Sequence, residues 1–162
     1  MSTVDALQQS LAAEHAAVYV YGVLGGRAAD LSDVGDLQLR GALATAYDDH
    51  VTRRDELRLM ITALGAVPVA AEPAYRLPRA LTTAEQISAQ ALATERACVE
   101  QYGALVAATS PGSSRAWAVA ALSDGAVTEL AFGGRAQALP GVTLLPSASA
   151  TPSGTPSVSP SA

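Results

Sequence analysis

Apolar residues recur every three or four positions along four blocks of this 162-residue chain, with polar residues filling the intervening face. That is the helical period. The first block predicts a helix from about Val4 to Leu24, capped by Ser2 or Thr3 and ended by Gly25-Gly26. Asp30 to Asp33 read as a short loop and second cap. A long second helix follows, from about Val34 to Leu64, stopped by Gly65. Residues 66–81 carry Pro68, Pro73 and Pro78 and read as an extended crossover. Thr82 or Thr83 caps a third helix with Glu85 in its first turn, ending near Thr109. Pro111-Gly112-Ser113 is a tight connection. A fourth helix runs from about Ser114 to Ala138, weakened at Gly133-Gly134.

Two of these helices are nearly the same sequence. Leu11-Ala12-Ala13-Glu14-His15-Ala16-Ala17-Val18-Tyr19-Val20-Tyr21-Gly22 aligns without gaps on Leu92-Ala93-Thr94-Glu95-Arg96-Ala97-Cys98-Val99-Glu100-Gln101-Tyr102-Gly103. Each copy places a glutamate where an apolar residue is expected and a tyrosine seven positions later. The copies are helices one and three, as a duplicated hairpin requires. The connections run short, long, short. The fold class is therefore all-α: a ferritin-like up-down four-helix bundle with one long crossover between helices 2 and 3.

The candidate chemistry lies in the apolar seams. These read Leu7, Leu11, Glu14, Val18, Tyr21 in helix 1 and Leu92, Glu95, Val99, Tyr102, Val106 in helix 3. Helix 2 gives Leu39, Leu43, Ala46, His50, Arg53, Leu57, Met60, Leu64. Glu14, His50, Arg53 and Glu95 break the pattern, each near mid-helix, so a bundle gathers them into one polar cluster with Tyr21 and Tyr102. Helix 4 offers two rows, one presenting Asp124 and the other Glu129.

Buried charges must be paired or neutralised. One reading is a salt-bridge network in which the Arg53 guanidinium forks the two glutamates and stands in for a metal. A second is a metal site, of iron or manganese, on Glu14, His50, Glu95 and one of Asp124 or Glu129. A full di-metal set needs two Glu-x-x-His turns. Tyr47 stands where the first needs glutamate, and helix 4 has no histidine. A third is a small-molecule pocket using Tyr21, Tyr102 and Arg53. A fourth, acid–base chemistry at His50 beside Asp48 and Asp49, is weak, because adjacent helical residues do not face one another. Cys98 reads as inert core and His15 as a seam-edge residue.

Composition narrows the field. The net charge of −5 argues against nucleic acid. The single cysteine forms no internal disulfide and fits a reducing compartment. No basic-then-apolar leader opens the sequence, and no stretch reaches the roughly 18 apolar residues of a membrane span. A cytoplasmic protein is expected. Residues 140–162 hold five of the nine prolines among Ser, Thr and Ala with no charge. They predict a disordered tail, leaving residues 1–139 as the bundle domain.

The chain resembles the uncharacterised alanine-rich ferritin-like proteins of actinobacteria, a family of unknown function. The resemblance rests on Leu11 to Tyr19 with Tyr21-Gly22, on His50-Val51-Thr52-Arg53-Arg54-Asp55, on Pro68-Val69-Ala70-Ala71-Glu72-Pro73-Ala74-Tyr75, and on Glu95 through Tyr102. It covers roughly residues 4–138. It implies a four-helix bundle, often a homodimer, and no assigned activity; the wider superfamily implies iron or di-iron oxygen chemistry. The expectation is a non-catalytic, structural or interaction bundle without cofactor. The alternative is a metal-binding oxidoreductase with a reduced ligand set.

Overall fold

The computed structural model describes residues 1–33, 36–78 and 80–137. The expected tail at 140–162, and the domain boundary at 139, lie outside them. Four helices follow in order: α1 (Thr3–Ala29), α2 (Asp36–Ala63), α3 (Ala84–Ala108) and α4 (Ser113–Ala131). The described residues contain no strand. None of the helices is long and apolar enough to cross a membrane.

The ends follow from capping chemistry. Ser2 and Asp5 form a capping box at the start of α1, with Asp5 N to Ser2 Oγ at 3.1 Å and Ser2 N to Asp5 Oδ2 at 3.0 Å. α1 does not stop at Gly25-Gly26 as expected. It continues because Leu24 and Ala28 are fully buried. An arginine of α2 also takes one carbonyl of its last turn and one just beyond it: Arg40 Nε donates to Ala28 O at 2.8 Å and Arg40 Nη2 donates to Leu31 O. α2 ends in a Schellman motif on Gly65, whose φ of 77° favours glycine, with Gly65 N to Thr62 O at 2.9 Å and Ala66 N to Ile61 O at 3.2 Å. Leu64, expected in the α2 seam, lies beyond the helix and is exposed. Thr83 caps α3 through Gln86 N. α4 was expected to reach Ala138. It ends at Ala131 because a second Schellman motif, on Gly133 at φ 84°, sends Gly134 N back to Glu129 O at 2.8 Å.

Side-chain pairs fix the directions. Thr3 meets Ala108, Glu14 meets Tyr102 and Tyr21 meets Glu95, so α1 and α3 are antiparallel neighbours. Glu14 with His50 and Ala28 with Arg40 make α1–α2 an antiparallel hairpin. Arg96 with Glu129 and Val106 with Arg115 do the same for α3–α4. α2 and α3 are consequently parallel, and the chain must travel back along the bundle between them. It does so on the outer face of α1. Gln8 clasps Val67 O at 2.7 Å and Val69 N at 2.8 Å, and His15 Nε2 bonds Val69 O at 3.1 Å. Tyr19 and Tyr75 pack with ring centroids 5.4 Å apart.

The core has two apolar parts. One gathers Leu7, Leu11, Leu57, Ile61 and Leu105, the other Leu24, Leu43, Ile87, Ala91 and Phe132. On α1, Glu14 falls between the two parts, and on α2 His50 does.

Candidate functional site

Glu14, His50 and Glu95 are fully buried and touch. α1 supplies Glu14, α2 His50 and α3 Glu95. His50 Nδ1 lies 2.7 Å from Glu14 Oε2, and His50 Nε2 lies 2.9 Å from Glu95 Oε1. The imidazole bridges the carboxylates of the duplicated helices. The tyrosines close the ring crosswise. Tyr21 on α1 donates to Glu95 Oε1 at 2.5 Å, and Tyr102 on α3 donates to Glu14 Oε1. Tyr21 also stacks on His50, with centroids 5.1 Å apart and an interplanar angle of 26°.

The protonation pattern follows. Burial alone would lower the His50 pKa. The hydrogen bonds to Glu14 and Glu95 and their charges outweigh it and lift the pKa from 6.5 to about 9. His50 is therefore an imidazolium at neutral pH, donating from both nitrogens. Burial, reinforced by Glu95 for Tyr21 and by Glu14 for Tyr102, pushes both phenols well above their ordinary value. They stay protonated and can only donate to the carboxylates.

Arg53 does not fork Glu14 and Glu95. It makes no hydrogen bond to either, and its guanidinium carbon lies 5.9 Å from the centroid of the Tyr102 ring. The imidazole of His50 already occupies the space between the carboxylates. Arg53 instead looks outward, with Nη2 4.0 Å from Asp124 Oδ2. Of the two α4 rows, the one with Ala118, Gly125, Glu129 and Phe132 faces the core. Gly125 decides this: a Cβ there would lie 2.8 Å from Val99 Cγ2 and 3.9 Å from Glu95 Oε2. α4 approaches the centre with backbone and brings no acid to it. The Asp124 side chain is 70 % exposed, and Glu129 pairs with Arg96 Nε at 3.4 Å.

Cys98, three residues after Glu95 and read from sequence as inert core beside the cluster, puts its sulfur within a group whose ligand atoms, with those of Glu14 and His50, lie within 4.8 Å of one another. A metal needs a thiolate, and burial, with Glu14 and Glu95 nearby, pushes the Cys98 thiol well above its ordinary value. Both His50 nitrogens, one oxygen of Glu95 and both oxygens of Glu14 are already hydrogen bonded. Glu95 Oε2 is the one oxygen of the cluster without a partner. With Asp124 and Glu129 turned elsewhere, this donor set does not fit a di-metal centre.

Two hollows flank the cluster. A groove of about 360 Å³ runs between α1 and α2 past Gly22, Gly25, Gly26 and Tyr47. A cleft of about 310 Å³ opens between α2 and α4 over Arg53, Trp117 and Asp124.

Residues 6–144 match a family described as a domain of unknown function, DUF4439. The chain is also similar to the crystal structure of a conserved hypothetical protein, rv2844, from Mycobacterium tuberculosis. The two share 28 % identity at a TM-score of 0.71, over 81 % of this chain and 94 % of that one. No curated protein matches the chain.

Proposed function

The chain belongs to the DUF4439 family of unknown function, and we propose that it is a non-catalytic bundle of ferritin-like descent whose centre is held by a proton instead of a metal. The carrying observation is His50, at zero exposure, with its two nitrogens on Glu14 and Glu95 at 2.7 and 2.9 Å. A cationic imidazolium between two carboxylates supplies the positive charge that a metal ion supplies elsewhere. It also leaves neither imidazole nitrogen with a lone pair for a substrate. On this reading Glu14, His50, Glu95, Tyr21 and Tyr102 organise the bundle, and Arg53 backs Tyr102.

We further propose that the protein works in the cytoplasm as a homodimer. Val119, Val127 and Leu130 support pairing: they are 46, 66 and 48 % exposed along one stripe of α4. A monomer by sedimentation at high micromolar concentration would sink it. The second functional reading is a metal-binding oxidoreductase using Glu14, His50 and Glu95. The partnerless Glu95 Oε2 favours it.

Metal content by elemental mass spectrometry separates the two. Protein is purified from iron- and manganese-supplemented cells and assayed again after anaerobic Fe(II) addition and desalting. The network reading expects no retained metal and an unchanged melting temperature. Near-stoichiometric metal that disappears in Glu14→Ala overturns it.

A further inference from the structure

Arg53 is a largely buried cation whose guanidinium reaches the open cleft and is not among the buried polar groups left without a partner. Its side chain is nine-tenths buried, and among the described residues none accepts a hydrogen bond from it. Its closest carboxylate, Asp124, stands 4.0 Å away, beyond hydrogen-bond reach. A buried guanidinium normally satisfies its fork of donors. Here the fork lines an open cleft of about 310 Å³ between α2 and α4, within the size range of small-molecule sites.

The charges of the cleft select its occupant. Arg53 lies among Asp49, Asp124 and Glu56. Glu56 accepts from Trp117 Nε1 at 2.6 Å and keeps its charge, so three carboxylates surround the one guanidinium, with Asp49 and Asp124 free at the rim. A plain anion suits Arg53 but meets three carboxylates, and a plain cation meets the guanidinium. A molecule bearing both charges satisfies both. The 4.0 Å between Arg53 Nη2 and Asp124 Oδ2 favours a ligand whose two charges sit on adjacent groups. Trp117, held by Glu56 and packed edge-on against Tyr102 at 5.9 Å, provides a rigid apolar wall with Ala120 and Ala121 beside it.

We propose that the cleft between α2 and α4 binds a free α-amino acid with an apolar side chain. Its carboxylate pairs with Arg53, its ammonium with Asp124, and its side chain lies against Trp117. The inference goes beyond the network reading and does not depend on it, since metal at the centre would leave the cleft's residues unchanged.

Trp117 is the only tryptophan in the chain, so all tryptophan fluorescence comes from the wall of this cleft. The full chain is titrated with L-methionine, and separately with acetate, methylamine and N-acetyl-L-methionine. A saturable change with L-methionine is expected, with each control weaker by about tenfold or more. Arg53→Gln should abolish it. Asp124→Asn, at an exposed position that leaves folding intact, should weaken L-methionine about tenfold while acetate binds no more weakly than before. The proposal is overturned by no saturable response to L-methionine up to about 10 mM. It is equally overturned by acetate binding as well as the amino acid, or by unaltered binding in Asp124→Asn.

Discussion

Tyr21 of α1 donates to Glu95 of α3 across 2.5 Å, and its counterpart Tyr102 returns the bond to Glu14. Each glutamate is thus served by the tyrosine of the other copy, seven residues beyond the other glutamate. The exchange works because α1 and α3 are antiparallel: a seven-residue step along one is retraced along the other. The symmetry breaks at His50. One imidazole serves both carboxylates, and α4 brings Gly125 to the centre in place of a second histidine.

That broken symmetry predicts an order of mutational costs. His50→Ala leaves two buried carboxylates without a cation and should destabilise by about 3–5 kcal/mol. Arg53→Ala should cost clearly less, because Arg53 holds neither glutamate. Urea unfolding of the two variants checks this, and equal losses would return Arg53 to the network.

The tyrosines should also differ. Tyr102 is the partner of Glu14 Oε1, whereas Glu95 Oε1 keeps His50 when Tyr21 is removed. Tyr102→Phe should therefore cost about 1–3 kcal/mol, as for a buried acceptor left unsatisfied, and Tyr21→Phe less. Chemical denaturation of both variants is the measurement.

Stability should fall in mild alkali. His50 has its pKa raised from 6.5 to about 9 in the fold. A raised folded pKa means the folded state holds the proton more tightly than the unfolded chain. The resulting stabilisation is complete below about pH 6.5, declines above it, and is gone as pH passes about 9. The span corresponds to about 3 kcal/mol. A melting-temperature profile from pH 6 to pH 10 should show the decline in the wild type and a much flatter curve in His50→Gln.

The glycines of α1 and α4 should respond in opposite directions. Gly25 and Gly26 are helical with open space around a new Cβ, so Gly25→Ala should stabilise by about 0.5–1 kcal/mol. Gly125→Ala places a Cβ 2.8 Å from Val99 Cγ2, on a side chain stiff at χ1. Overpacking of about 1–3 kcal/mol should outweigh the propensity gain. Thermal melts of the two variants decide it.

The four helices were legible because each carries a strong helical period, and their connections because proline and glycine punctuate them. Glu14, His50 and Glu95 were legible as polar residues in apolar seams. The end of α1 was not, since Gly25-Gly26 is a stop signal only where no neighbour satisfies the following carbonyls. Arg40, a residue on another helix, does so. The facing row of α4 was also hidden. It turns on a missing side chain, Gly125, which carries no weight in a hydrophobic pattern. Arg53 shares a face with His50 in one dimension, but its length carries the guanidinium past the carboxylates to the cleft.

The parallel arrangement of α2 and α3 has a kinetic consequence. Each antiparallel hairpin closes over a short connection, so both can form early and independently. Glu14 and His50 belong to the first, while Glu95 arrives with the second, 45 residues after His50. The imidazole therefore cannot acquire its second carboxylate until the crossover has wrapped along α1 through Gln8 and His15 and brought the halves together. Dehydration of the charged centre then coincides with docking of the hairpins. If that docking step sets the refolding rate, Gln8→Ala should slow refolding in stopped-flow measurements without altering either hairpin.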